Sequence, residues 1–103
     1  MQILPLADLY SQSLSATLAG QSCRINVYQK ATGLFLDLYV ADLLIVGGVL
    51  CQNANLIVRD GYLGFVGDLM FLDNQGRTDP SSPGLGARYS LCYLETADLN
   101  GIG

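Results

Sequence analysis

Apolar and polar residues alternate along much of this chain, in short runs that end at turn residues. Cys23, Ile25 and Val27 fall on one face of a strand predicted over residues 22–30, with polar residues between them. Residues 34–40 alternate in the same way after a short turn, which predicts a β-hairpin. A period of two residues over runs this short indicates β-strands rather than helices.

Short runs rich in apolar residues, separated by turn residues, continue as far as residue 94. The predicted strands are residues 13–19, 22–30, 34–40, 43–51, 56–59, 62–66, 68–73 and 88–94, with a long loop over residues 74–87. Gly61, Gly64 and Gly67 are spaced by threes, so in a strand they would fall on alternating faces. We therefore expect close backbone approach or a sharply twisted corner there, and not a cofactor groove.

Strands and turns at this spacing predict an all-β fold, a single small antiparallel β-sandwich or barrel of seven to eight short strands. Residues 1–12, around Pro5, are predicted to be an extended N-terminal arm that clips to a sheet edge or to a neighbour. The β-domain is predicted over residues 13–95, and a flexible C-terminal tail over residues 96–103.

The composition predicts contacts with other subunits. Hydrophobic residues make up 50% of the chain and charged residues only 14%, against a usual charged fraction of about 25%. These charges are too few to cover a small monomer comfortably, so we expect part of the apolar surface to be buried in an assembly. The alternative is a monomeric β-domain with a surface of Ser, Asn and Gln.

Charge and hydropathy also limit the choice of partners. The net charge of −4 gives no basic footprint for nucleic acid. The longest apolar run, residues 43–51, is far shorter than the roughly 20 residues that span a bilayer. The first ten residues lack the charged and apolar regions of a signal peptide. We therefore expect no direct nucleic-acid or membrane contact, and a protein that is made and kept in a cytoplasm.

The residues needed for common catalytic sites are missing. Without histidine, neither a Ser-His nor a Cys-His nucleophile system can be built, and a lysine mechanism would depend on Lys30 alone. Cys23, Cys51 and Cys92 form no metal-binding pair, and an odd count allows at most one disulfide within the chain. The simpler interpretation is that each is a small buried hydrophobe. We predict no enzymatic activity, no cofactor and no metal.

The loop that begins at Asp73 has two interpretations. Asp73, Asn74 and Asp79 supply oxygen atoms that could bind calcium, but the order of an EF-hand loop and its glutamate are absent. The favoured interpretation is a turn in which Asp and Asn side chains cap their own backbone.

Aromatic residues lie on the otherwise polar face of the first predicted hairpin. Tyr28, Phe35 and Tyr39 share this face with Arg24 and Lys30. Aromatic residues with arginine are typical of interface cores. Ordinary cross-strand pairs on a solvated face are the alternative.

Several blocks of the sequence resemble, in their order along the chain, the baseplate plug family of contractile-tailed phages, including cyanophages. The blocks are Gly20-Gln21-Ser22-Cys23-Arg24-Ile25, Tyr28-Gln29-Lys30, Leu36-Asp37-Leu38-Tyr39, Tyr62-Leu63-Gly64-Phe65-Val66-Gly67-Asp68-Leu69, Asp79-Pro80 and Gly84-Leu85-Gly86-Ala87-Arg88-Tyr89. No single block is diagnostic, and the specificity comes from their shared order.

The resemblance implies a structural virion protein of the tail baseplate. Several copies, in a symmetric arrangement, would pack between the central hub and spike and the tail tube after assembly in the host cytoplasm. The contacting residues would lie in the loop from Asp73 to Arg88 and on the aromatic face. The predicted interface residues are Arg24, Tyr28, Phe35, Tyr39, Arg59, Asp73, Arg77, Asp79 and Arg88. In such an assembly, Cys23, Cys51 and Cys92 could also form disulfides between subunits or with the hub.

Two other functions remain open from the sequence. One is a small β-barrel that binds a ligand or a metal ion, at the loop from Asp73 to Asp79 or at the barrel mouth. The other is a different part of a contractile machine, such as a tube or sheath-initiator subunit.

Overall fold

Two antiparallel sheets make up the computed structural model, which describes residues 2–59 and 64–102. In these residues the strands and the helix are β1 (Gln2–Leu4), β2 (Ser11–Leu18), β3 (Gln21–Lys30), β4 (Gly33–Val40), β5 (Leu43–Leu50), β6 (Asp68–Asp73), β7 (Tyr89–Leu94) and α1 (Thr96–Ile102). The larger sheet has the strand order β2-β3-β4-β5, and the smaller one β1-β7-β6.

The core lies between the two sheets. Alternation along β4 turns Leu34, Leu36 and Leu38 inward, and none of the three has any exposed surface. From the smaller sheet, Phe71 and Leu91 join the same buried cluster. The two sheets share this core without closing into a barrel, so the all-β prediction is confirmed in its sandwich form.

Two glutamines of β3 connect the larger sheet to distant loops. The side chain of Gln21 accepts a hydrogen bond from the N–H of Val66 at 3.0 Å and donates one to its carbonyl at 3.1 Å. At the other end of the strand, Gln29 accepts a hydrogen bond from the N–H of Ser82 at 2.8 Å. The loops that precede β6 and β7 are therefore fixed to the sheet that carries β3.

Glycine is required where the backbone approaches closest. Gly67 has a φ of +92°, and a Cβ there would lie 2.6 Å from the Tyr93 hydroxyl and against the Leu94 carbonyl. Gly64 has a φ of +90°, yet a Cβ there would meet open space. The predicted close approach is confirmed at Gly67, whereas Gly61 lies outside the described residues.

Two predicted strands differ from the structure. Residues 56–59 make only an isolated bridge, between Leu56 and Met70, although the N–H of Ile57 still binds the Leu69 carbonyl at 3.0 Å. The ladder goes no further because the N–H groups of Val58 and Arg59 bind the side chain of Asp68. Residues 64–66 are not in a strand, and residues 62–63 of that prediction lie outside the described residues.

The chain ends also have regular structure. β1 pairs with β7, so this part of the predicted arm lies at a sheet edge. α1 occupies most of the segment predicted as a flexible tail, and the Asp98 carboxylate accepts the N–H of Glu95 at 3.0 Å, as in half of a capping box. The division into arm, domain and tail, and the flexibility of the tail, stay predictions.

Candidate assembly surface

The side of the larger sheet that faces away from the core carries paired aromatic and cationic side chains. Tyr28 lies directly opposite Phe35, and their rings stack with centroids 6.1 Å apart. Arg24 lies opposite Tyr39, with its guanidinium carbon 4.4 Å from the ring centroid. We call this surface the outer face, and its members are Arg24, Tyr28, Lys30, Phe35, Asp37, Tyr39, Leu44 and Leu50.

Lysine and the acidic residue Asp42 complete the charge pattern around these rings. The Lys30 ammonium lies 5.5 Å from the centroid of Tyr28 and 5.7 Å from that of Phe35. Arg24 also forms an ion pair with Asp42 at 3.5 Å, with both side chains largely exposed. An exposed pair of this kind contributes little to stability, so Arg24 can change its partner at low cost.

Two leucines of β5 extend the outer face, and neither was among the residues predicted from the sequence. Leu44 lies opposite Tyr39, and Leu50 lies opposite Phe35. Their exposed fractions are 57% and 42%. In the unbroken apolar run of β5 no alternation separates outward from inward residues, so the only available signal was the pairing register with β4.

Asp37 organises the centre of the outer face. Its Oδ1 accepts hydrogen bonds from the Tyr28 hydroxyl at 2.9 Å and from the N–H of Gly48 at 2.7 Å. Burial raises the pKa of Tyr28, and the hydrogen bond to Asp37 raises it further. The tyrosine therefore stays a neutral donor, and three neighbouring strands are joined at one carboxylate oxygen.

The long loop between β6 and β7 is held by a bidentate ion pair. Arg88 donates from Nε to one Asp73 oxygen and from Nη2 to the other, both at 2.9 Å. Asp73 also accepts the N–H groups of Gln75 and Thr78 at 2.9 Å. The hydrogen bonds from Arg88, then those from the loop backbone, hold the pKa of Asp73 well below its usual range.

These contacts decide between the two interpretations of the loop. The oxygens of Asp73 accept loop N–H groups and the guanidinium, and Asp79 accepts the N–H of Asn53 at 3.0 Å. Among the described residues no group of three or more Cys, Asp or Glu side chains could hold a metal ion. The turn interpretation is confirmed for Asp73, and the two described sheets do not close into a barrel.

The structure places the other predicted interface residues apart from one another. Arg77 and Asp79 are exposed in the loop before β7. Arg59 donates from Nε to the Leu56 carbonyl at 2.7 Å and lines an open groove with Met70. The outer face brings together Arg24, Tyr28, Phe35 and Tyr39, whereas Asp73 and Arg88 pair with each other. A role for any of these residues in an interface stays a prediction.

All three cysteines are buried and unpaired, with exposed fractions of 2% for Cys23 and 1% for both Cys51 and Cys92. Burial raises the pKa of all three thiols, and that of Cys51 to about 12. Buried thiols kept in their protonated form are poor nucleophiles. A disulfide to another subunit stays a prediction, and it would require local opening of the core.

Asp68 is a structural residue that was not among the residues predicted from the sequence. It is 4% exposed, and its Oδ1 accepts the N–H groups of Ile57, Val58 and Leu69 at 2.7–3.1 Å. Its Oδ2 accepts the N–H of Arg59 at 2.7 Å. The only signal in the sequence was one acidic residue at the start of an apolar strand.

Comparison with known families finds the family that the sequence blocks resemble. A family model described as "Cyanophage baseplate Pam3 plug gp18" matches residues 1–96. No curated protein matches the chain. The described part of the chain contains no helix long and apolar enough to cross a membrane. The family match covers all seven described strands and both sheets, and the chain therefore belongs to the cyanophage baseplate plug family.

Proposed function

We propose that this chain is a packing subunit that joins the central hub and spike of the baseplate to the tail tube. The family gives the chain a structural role in the phage baseplate and a place in the tail of the virion. The proposal adds the neighbours, several symmetrically arranged copies in each particle, and action by packing without turnover of a substrate.

The outer face is the observation that carries this proposal. It combines stacked aromatic rings, an arginine on a tyrosine ring and two leucines that are about half exposed. Interface cores are enriched in aromatic residues and arginine, and a few such residues supply most of the binding energy. The pairing across β3 and β4 fixes these side chains before binding, which lowers the entropy lost on contact.

The loop from Asp73 to Arg88 supports a second contact region. Its backbone is tied to Asp73, and its far end is tied to β3 through Ser82 and Gln29. A loop fixed at several points presents its exposed residues, including Arg77 and Asp79, in one arrangement. Preformed loops of this kind suit recognition by a rigid partner.

Co-expression with the neighbouring tail genes tests the proposal. Light scattering after size-exclusion chromatography should find a stoichiometric complex with hub, spike or tube proteins. Phe35→Ala combined with Tyr39→Ala should weaken that complex at least tenfold, because both rings lie in the proposed contact. A double variant that is already unfolded before urea is added would instead show that the rings are needed for the fold.

Ile3→Ala is the matched control for this experiment. Ile3 is 64% exposed and lies on β1, in the other sheet. Its truncation removes apolar surface of similar kind, so the complex should be unchanged. A wild-type chain that binds none of the tail proteins would contradict the proposed function. A control variant that weakens the complex as much as the double variant does would contradict the proposed contact.

A further inference from the structure

One edge of the larger sheet has an uninterrupted row of backbone groups without a partner. The N–H of Gln29 binds the Tyr10 carbonyl at 2.7 Å, and the register from Ser11 opposite Tyr28 to Leu18 opposite Gln21 has no break. Pairs alternate in an antiparallel ladder, so the backbone groups of every second residue point away from β3. These residues are Ser11, Ser13, Ser15 and Thr17, and within the described residues no hydrogen bond reaches their N–H or carbonyl groups.

The other edges in the described part of the fold are obstructed. The register of β5 shifts twice near Leu38, and the N–H of Gly48 is already bound by Asp37. In the smaller sheet, β6 is covered by bridges from Asn53 and Leu56, and β1 has only three residues. Bulges, covering segments and short strands are the usual protection of sheet edges. β2 has eight residues without a bulge, a charge or a proline.

We propose that β2 pairs antiparallel with β2 of a second copy of this chain, so that two four-stranded sheets become one of eight strands. The register that uses every unpaired group places Ser11 opposite Thr17 and Ser13 opposite Ser15 of the second copy. Two-fold symmetry repeats both pairs, and each of the four pairs exchanges two N–H···O bonds. A shift by two residues in either direction leaves the first or the last of these residues unpaired.

The side chains of β2 are complementary to themselves in this register. On the outer side, hydroxyl groups face hydroxyl groups, a pairing that is favourable across strands. On the core side, half-buried Leu14 meets Leu14 of the second copy on the two-fold axis. Tyr10, which is 72% exposed, would lie beside Leu18 of the second copy. An added strand must alternate short polar and apolar residues to fit both sides, as β2 itself does.

Charge also favours a second copy as the occupant. Each chain carries a net charge of −4, which would oppose association if the acids lay along the contact. β2 contains no charged residue, so pairing along it brings no like charges together.

The test is the oligomeric state of the purified full chain and of two charge variants. By light scattering, the wild type should have a mass near twice 11.0 kDa. Ser13→Lys with Ser15→Lys puts lysine opposite lysine at the central pairs, and the dimer should be lost. Ser13→Lys with Ser15→Glu puts lysine opposite glutamate, and the dimer should be kept.

Urea unfolding of each variant checks that the fold survives, and Ser13→Ala with Ser15→Ala is the control that keeps the backbone contact. A wild type that stays at 11.0 kDa over the whole accessible concentration range would overturn the proposal. Loss of the dimer in both charge variants would overturn the register. Light scattering of the purified chain needs no tail protein. A chain that dimerises but binds no hub, spike or tube protein would therefore contradict only the proposed function.

Discussion

The carboxylate of Asp37 accepts the backbone N–H of Gly48 at 2.7 Å, across the pair of strands β4 and β5. The register between these strands shifts on both sides of Leu38, so the ladder cannot satisfy that N–H in the regular way. The same oxygen holds the Tyr28 hydroxyl of β3 at 2.9 Å. One side chain therefore fixes the bulge of β5 and the position of an outer-face tyrosine.

Asp37→Ala should lower the free energy of unfolding by about 1–3 kcal/mol, because it leaves two donors without their acceptor. Tyr28→Phe removes only the hydroxyl donor and should cost about 1 kcal/mol. Urea unfolding followed by far-ultraviolet circular dichroism measures both values. Equal losses for the two variants would mean that the hydrogen bond from Gly48 contributes nothing.

The Asp68 carboxylate supplies a second test of side-chain control over the backbone. Asp68→Ala leaves the N–H groups of Val58 and Arg59 without an acceptor, whereas that of Ile57 keeps the Leu69 carbonyl. Unsatisfied donors in buried or half-buried places cost about 1–3 kcal/mol each. We expect a loss on the order of 3 kcal/mol, with Asp68→Asn intermediate because one acceptor oxygen remains. Hydrogen exchange should accelerate at Val58 and Arg59 in both variants. Unchanged exchange there would contradict the assigned role.

The regular strands could be predicted because their causes are local. In β3 and β4 the alternation of apolar and polar residues is set by burial of one face, and the structure follows it. The outer-face pairs of Arg24 with Tyr39 and Tyr28 with Phe35 follow from the same alternation and the short turn. The turn at Asp73 could be predicted for the same reason, since its side chain binds a backbone N–H two residues on.

The parts that could not be predicted depend on contacts distant in sequence. Residues 56–59 have the composition of a strand, but Asp68 takes the N–H groups of Val58 and Arg59 out of any ladder. The exposure of Leu44 and Leu50 depends on the bulge of β5, which no local signal positions. α1 is too short to show a helical period, and its visible signal is half of a capping box.

Gly67 and Gly64 form a matched pair that separates steric collision from backbone strain. Their φ values are nearly equal, at +92° and +90°, but only at Gly67 would a Cβ collide with neighbouring atoms. Gly64→Ala should cost about 1–2 kcal/mol, the cost of a left-handed conformation alone. Gly67→Ala should cost clearly more, because Tyr93 and the Leu94 backbone must move. Equal urea midpoints for the two variants would show that the atoms around Gly67 can move to accommodate a Cβ.

The raised pKa of Cys51 predicts that the chain loses stability in alkali. Burial raises the pKa of its thiol from 9.0 to about 12, so above pH 9 the unfolded chain releases a proton that the folded chain retains. Stability from this group is complete below pH 9 and falls by about 1.4 kcal/mol per pH unit up to about pH 12. Cys51→Ala should reduce the slope of the unfolding free energy against pH. An unchanged slope would contradict this assignment, whatever the variant's absolute stability.

The Asp73–Arg88 pair makes the opposite prediction, for acid. The pKa of Asp73 is held below its ordinary value of 3.8, chiefly by the hydrogen bonds from Arg88, so the folded chain keeps this carboxylate ionised. The stabilisation is complete above that ordinary value and is lost as the pH falls from it toward the lower folded pKa. Arg88→Ala should therefore flatten the acid limb of stability against pH.

Arg24→Ala is the control for this last experiment, because its ion pair with Asp42 is exposed and 3.5 Å long. An exposed pair of this kind shifts stability very little, so the acid limb should keep its wild-type slope. If Arg24→Ala flattens the acid limb as much as Arg88→Ala, the loss reflects the general charge of the chain. If only Arg88→Ala does so, the bidentate pair holds the loop before β7 in its folded arrangement.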